Sequence, residues 1–217
     1  MLKNKKCVIF DLDGTLIDSL WVWRQIDELY LEKKGLICND NLQEALNGKS
    51  FTEAAMFFKE KFSMPESIEE ISNDWIDMCL DVYIDEVILK EGALRFVQKV
   101  HSMGISLGVG TSNNKTIAQQ YLQSKNMTKY FKTIRTSCEV GKGKPNPDVF
   151  LKVAQDLNTR PEECLVFEDT LEGVMAAKNA GMQVAAVYDS AHVKFESDIR
   201  NLADYYFESL FQAEKAI

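Results

Sequence analysis

The chain has 217 residues, enough for a sizeable core carrying an insertion but short for two ordinary domains. Hydrophobic residues at 46% and charged residues at 27% match globular averages and exclude a disordered chain. A formal net charge of -8 excludes the basic footprint that nucleic acid or an anionic membrane requires, so an anionic ligand must be drawn by a local site.

The chain opens MLKNKKCVIF, whose apolar run before Asp11 is too short for a signal peptide, and no run reaches membrane-spanning length. Five cysteines, Cys7, Cys38, Cys79, Cys138 and Cys164, form no CxxC pair, and the histidines are His101 and His192. That pattern reads as reduced thiols in a soluble cytoplasmic protein without a zinc site.

The first predicted strand, 7–10, is apolar throughout and runs into two acids in the stretch VIFDLDGT. Residues two apart in extended chain point the same way, so Asp11 and Asp13 face one place at the strand's C-terminal end. Open parallel α/β sheets bind their ligands there. Two carboxylates at one point repel, which favours a bound hard cation or protonation of one of them. Gly14 reads as a turn residue, since Asp-Gly after a strand is a hairpin signal.

Residues 18–90 show no convincing strand; amphipathic segments at 19–34, 40–47, 51–62 and 67–89 predict a helical insertion after the first strand. Gly48 suits a helix end, and Ser50-Phe51-Thr52-Glu53 has the spacing of a capping box. At about 100° per residue, Val22, Trp23, Ile26, Leu29 and Tyr30 share one arc and are expected in the core of the insertion. Trp21 falls instead with Arg24, Gln25 and Glu28, and is either a pocket residue or a partly exposed surface one. Lys49, in a loop between helices, is either a pocket residue or a solvated lysine.

From residue 91 on, apolar runs at 105–110, 132–136, 164–168 and 184–188 alternate with helical stretches. Strands apolar on both sides predict a Rossmann-like parallel sheet with helices on both faces. Asn113 or Asn114 should cap a helix to about Asn126, Pro147 should open one over 148–157, and Thr170 one over 171–180 with Gly181 at its end. Thr111-Ser112-Asn113-Asn114 offers hydroxyls and helix N-terminal N–H groups to an anion, although an N-cap alone also accounts for it. Gly141-Lys142-Gly143-Lys144-Pro145 lacks P-loop spacing but places two lysines before a helix. Glu168-Asp169 after an apolar strand is either a helix cap or part of an oxygen-rich cation site.

In order, VIFDLDGT, VGTSN, GKGKPNPDVF and VFEDTLEGVMAAKNAG resemble the four motifs of the haloacid dehalogenase superfamily. The resemblance covers residues 1–17 and 91–190, and the insertion sits where that superfamily carries a helical cap, as in its beta-phosphoglucomutase and phosphoglycolate phosphatase-like members. It implies a core domain of residues 1–17 and 91–217 and an inserted all-helical cap domain of residues 18–90, with hinges at 15–19 and 89–92. It implies Asp11 as nucleophile, Asp13 as general acid and base, and Thr111, Ser112 and Lys144 as phosphate-binding groups. It also implies a Mg2+ site at Asp11, Asp13 through its backbone carbonyl, and Asp169, with Glu168 beside it. Trp21 and Lys49 are the substrate candidates in the cap.

The implied activity is a Mg2+-dependent phosphatase for a small phosphorylated metabolite, a sugar phosphate or similar phosphomonoester, working as a monomer through an aspartyl-phosphate. The alternative within the same resemblance is a sugar-phosphate mutase. Against it, the mutases' cap arginine corresponds here to Phe51 and their first-helix histidine to Trp23. A noncatalytic phosphometabolite sensor is the further alternative, but pure binding does not need a nucleophile and an acid together.

Overall fold

In the computed structural model, which describes residues 1–37 and 42–217, the apolar run Cys7–Phe10 is strand β1 and is buried along its whole length. Burial on both faces suits a central parallel strand, where backbone bonds run to neighbours on each side. β1 pairs in parallel with β4 (Ser106–Thr111) and with β6 (Cys164–Glu168). β5 (Thr133–Thr136) lies beyond β4, and β7 (Gln183–Val187) and β8 (Tyr205–Phe207) lie beyond β6. The result is a six-stranded sheet ordered β5-β4-β1-β6-β7-β8, parallel at every pairing, as the sequence pattern predicts. The sixth strand, Tyr-Tyr-Phe, has no counterpart in the sequence reading because three residues are too few to display a period.

Alternation along β1 divides the core. Val8 and Phe10 pack with Phe96, Val97 and Val100 of α5 (Ala93–Ser102) and with Ile117 and Tyr121 of α6 (Lys115–Ser124). Cys7 and Ile9 pack on the other face with α8 (Asp148–Asp156) and α9 (Leu171–Asn179). Phe10 stacks on Phe167 at 5.2 Å and meets Phe96 edge-on at 6.0 Å, so the strand that carries the acids is held by aromatic packing directly beneath them. Shorter helices complete the layers: α7 (Ser137–Val140), α10 (Glu196–Leu202) and α11 (Leu210–Lys215).

The segment between β1 and α5 departs from the sheet. β2 (Ile17–Asp18) pairs antiparallel with β3 (Ile88–Leu89), and α1 (Leu20–Lys33), α2 (Leu42–Leu46), α3 (Phe51–Lys61) and α4 (Ile68–Asp85) lie between them. The expected absence of strands is thus corrected: a two-residue ladder closes the insertion, and the last helix stops at Asp85 rather than continuing to 89. Such a ladder leaves no periodic trace in sequence. Ser50 and Ser67 each make a full capping box with Glu53 and Glu70, which supplies partners for N–H groups that a helix start otherwise leaves free.

Val22, Ile26 and Tyr30 are buried in the core of the insertion with Phe58 and Trp75, as their shared arc predicts. Leu29 is exposed instead, and Trp23 is half-buried because its indole turns toward Asp13. Leu31 takes the place expected of Leu29. Among the described residues, Cys7, Cys79, Cys138 and Cys164 are free thiols, and no helix is long and apolar enough to cross a membrane. Cys38 and the start of the predicted 40–47 helix lie outside the described residues.

Candidate active site

The sheet order places three strand ends together. Phe10 pairs with Val109 on one side and with Phe167 on the other, so Asp11, Thr111 and Glu168 emerge side by side at the C-terminal edge. Asp11 extends the ladder, its N–H donating to the Phe167 carbonyl at 2.9 Å. A cavity of about 640 Å³ opens over this edge, a size suited to a small molecule. Asp11, Asp13, Thr111, Ser112, Lys144 and Glu168 line its floor.

Past Asp11 the chain turns back at once. The N–H groups of Leu16 and Ile17 donate to the Leu12 carbonyl at 2.9 and 3.1 Å, and fully buried Leu12 and Leu16 anchor the loop. Gly14 has φ 79°, and a Cβ there would collide with the Asp169 carboxylate. The glycine is therefore required by a close approach as well as by the turn.

Lys144 reaches this edge from the loop before α8 and is itself buried. Its Nζ donates to Asp11 Oδ1 and to Glu168 Oε1, each at 2.5 Å. Burial alone would pull the ammonium's pKa down; the two carboxylates outweigh it and hold the pKa above the ordinary lysine value. Burial drives the Asp11 pKa well upward, with Lys144 opposing and Glu168, Asp169 and Asp13 adding to the rise.

Glu168 has both oxygens engaged. Besides Lys144 at Oε1, its Oε2 accepts from the N–H groups of Asp169 and Thr170 and from Thr170 Oγ1, at 2.8, 2.9 and 3.0 Å. Thr170 also caps α9, as predicted.

Asp169 lies fully buried behind the cavity floor. Its Oδ1 accepts from Thr15 Oγ1 at 2.7 Å. Its Oδ2 lies 3.0 Å from His192 Nδ1, yet the two atoms are not aligned for a hydrogen bond, and Oδ2 is left buried without a partner. Burial raises the Asp169 pKa against the pull of His192; for His192, burial lowers the pKa but the carboxylate more than compensates.

A buried carboxylate oxygen that accepts no hydrogen bond, near the Asp11 and Asp13 carboxylates and with only the His192 ring nitrogen close to it, fits a hard divalent cation, which prefers oxygen donors. Among the described residues no three His, Cys, Asp or Glu side chains are grouped to hold a metal. Two carboxylates completed by a backbone carbonyl, the donor set that the haloacid dehalogenase resemblance implies, would not form such a group.

Asp13 sits on the cavity floor among donors. Its Oδ1 accepts from Ser19 Oγ at 2.7 Å, from Trp23 Nε1 at 3.4 Å and from the Tyr83 hydroxyl; its Oδ2 accepts from Asn113 Nδ2 at 2.9 Å. Thr111 is buried, its Oγ1 accepting from the Asn113 N–H at 3.1 Å, while Asn114 caps α6 by accepting from the Thr116 N–H. Ser112 lies 3.4 Å from Ser137 through their hydroxyls, and its carbonyl accepts from the Phe51 N–H at the start of α3.

Of the candidates in the insertion, Trp21 lines the cavity, is 40% exposed, and donates through Nε1 to the Asp18 carbonyl at 3.0 Å. Lys49 also lines it, half-buried, with its Nζ 5.7 Å from the centre of the Phe57 ring. Ser19, Trp23, Tyr83, Asn113 and His192 belong to the site without having been singled out for it in sequence. Asn113 carried a signal, being inside the Thr111–Asn114 motif. Tyr83, 70 residues from Asp13 on an amphipathic helix, carried none.

The family model described as haloacid dehalogenase-like hydrolase matches residues 8–187. The chain is 33% identical over 186 residues to a bifunctional riboflavin kinase/FMN phosphatase of Arabidopsis thaliana, covering 85% of this chain and 49% of that protein, so it spans about half of that relative's length. It is 28% identical over 187 residues to the phosphorylated carbohydrates phosphatase of Thermotoga maritima, covering 86% of each. In fold it is similar to CbbY from Rhodobacter sphaeroides, solved in complex with phosphate, with a TM-score of 0.85 at 20% identity, covering 98% of this chain and 100% of that one.

Proposed function

Because the chain belongs to the haloacid dehalogenase-like hydrolases, we propose that it is a cytoplasmic, Mg2+-dependent phosphatase of a small phosphorylated metabolite, with residues 18–90 as a helical cap over the core. The observation that carries the reading is Lys144. A buried ammonium held between Asp11 and Glu168 at the floor of a cavity keeps fixed positive charge beside a carboxylate that faces incoming substrate. The relatives named as phosphatases of FMN and of phosphorylated carbohydrates support the same chemistry and a substrate of small size.

In this reading the phosphoryl group lies over Asp11, with Thr111, Ser112 and Lys144 binding its oxygens. An Asp11 oxygen bonds to phosphorus as the bond to the leaving oxygen breaks, and Asp13 gives that oxygen its proton. Water then attacks the aspartyl-phosphate and gives a proton to Asp13, the bond from phosphorus to the Asp11 oxygen breaks, and phosphate leaves. Fixed charge near the transferred group carries much of the acceleration, because a single general acid contributes only about 10²–10⁴-fold. Mg2+, held by Asp11, Asp169 and the Asp13 backbone carbonyl, supplies further charge neutralisation when bound. Glu168, with both oxygens engaged, serves to hold Lys144 and the start of α9.

Hydrolysis is favoured over return of the phosphoryl group to a bound sugar monophosphate by Phe51. Its ring packs edge-on against Trp75 at 5.5 Å and Trp23 at 5.7 Å, so that position offers no cation for a second phosphate. The test is a phosphate-release screen over sugar, polyol, nucleotide and flavin phosphates, with and without Mg2+. Turnover that needs Mg2+ and disappears in Asp11→Asn is expected. Unchanged turnover in that variant refutes the nucleophile; no release from any phosphomonoester refutes the phosphatase.

A further inference from the structure

Asp13 is oriented mainly from outside the sheet. Ser19, Trp23 and Tyr83, three of its four donors, come from the inserted segment, and only Asn113 comes from the edge of the sheet. Tyr83 sits on α4 and Trp23 on α1, with their rings 5.5 Å apart, so the first and last helices of the insertion meet over one carboxylate. Asp11, by contrast, is held by Lys144 and by the strand itself.

Resting on the reading of Asp13 as general acid, we propose that Tyr83 and Trp23 are positioning residues that aim the Asp13 carboxyl group at the leaving oxygen. Tyr83 is wholly buried, and a buried hydroxyl needs a partner. A phenylalanine would fill the same space, packing on Tyr121 at 6.3 Å, without that demand. The hydroxyl also accepts from Asn113 Nδ2 at 3.2 Å, which ties the donor from α4 to the donor from the sheet. Indole N–H and amide N–H can only donate, whereas the Ser19 and Tyr83 hydroxyls can donate or accept, so the cluster can hold Asp13 in place with or without its proton. A carboxylate restrained at both oxygens cannot swing, and small errors in the placement of a reacting group cost about 10²-fold in rate.

The step concerned is the first displacement, in which the proton moves from Asp13 to the leaving oxygen as its bond to phosphorus breaks. Its demand for an acid depends on the leaving group: nitrophenolate leaves with little help, an alkoxide needs the proton. The experiment compares kcat/KM for p-nitrophenyl phosphate and benzyl phosphate, similar in size, in the wild type, Tyr83→Phe, Trp23→Phe and Asp13→Asn. The ratio of the nitrophenyl to the benzyl value is expected to rise about 10-fold or more in Tyr83→Phe, less in Trp23→Phe because its bond is longer, and most in Asp13→Asn.

A structural role alone would lower both substrates together and leave the ratio where it was. An unmoved ratio in Tyr83→Phe and Trp23→Phe, with a raised ratio in Asp13→Asn, overturns the positioning role while sparing the acid. An unmoved ratio in Asp13→Asn overturns the acid itself and the inference with it. Both aromatic substitutions remove only polar atoms or fill less space, and if one fails to fold the ratio is read from the other.

Discussion

Asp27 presents a carboxylate where the fold disfavours charge, and its replacement by asparagine yields a quantitative prediction. It lies on α1, 4% exposed, with Oδ2 accepting from Gln43 Nε2 at 2.7 Å. Burial pushes its pKa from 3.8 to about 7, with Gln43 opposing and Glu28 adding slightly. The native state therefore binds this proton more tightly than the unfolded chain does. Its stabilising contribution is complete below the unfolded value and is lost as pH rises through about 7. A displacement of about 3 pKa units at ~1.4 kcal/mol each amounts to ~4 kcal/mol.

Asp27→Asn keeps an acceptor for Gln43 and removes the ionisation. Urea unfolding of both proteins from pH 4 to 8 is the assay. The variant's stability relative to wild type should climb across that range and level off above pH 7, with a total rise on the order of 4 kcal/mol. Because every other titrating group is common to both proteins, it cancels in the difference. Parallel stability curves, or a difference that falls with pH, would refute the claim that burial rather than partnering governs this group.

Lys144→Met should lower kcat by about 10²–10³-fold in a phosphate-release assay, the scale of losing one group that stabilises developing charge. The same substitution leaves Asp11 and Glu168 buried beside each other, and should cost about 3–5 kcal/mol in denaturant unfolding. Ser67→Ala removes one half of the capping box that starts α4 and should cost about 1 kcal/mol by the same measurement, with the activity unaffected if α4 keeps its place.

The sheet was legible because its strands are apolar on both sides and β1 is followed by acids that make no sense in a core. The floor of the site was legible for a related reason: Asp11, Thr111 and Glu168 each end or follow a strand, and a parallel sheet gathers such ends at one edge, whereas Lys144 was marked only by the glycine- and lysine-rich loop before α8. Contacts across the insertion were hidden. Trp23 lies on the apolar arc of α1 and packs only partly against the core. Nothing in the spacing distinguishes an indole that ends in packing from one whose N–H reaches a carboxylate. Tyr83 was concealed in the same way, since a tyrosine at a buried helix position reads as core until the partner of its hydroxyl is known. β2 and β3 escaped because two-residue strands are made by tertiary pairing rather than local preference.

That difference in legibility follows the division of work within the site. Asp11 is fixed by neighbours from the sheet and its loops, and the Gly143-Lys144 loop is itself packed closely against Gly48 and Ser50 of the insertion. Asp13 depends on α1 and α4, which reach it from separate parts of the chain. Lys90 lies where they return: its N–H donates to the Leu16 carbonyl at 3.0 Å, and its Nζ donates to the carbonyls of Gly14 and Tyr188 and to Asp189 Oδ2, at 2.6, 2.8 and 2.8 Å. The end of the insertion is thereby fastened to the loop that carries both acids and to the loop after β7. In the proposed reaction Lys144 sets the charge at Asp11 and the donors from α1 and α4 set the direction of Asp13, and substrates with poor leaving groups are the ones that depend on both.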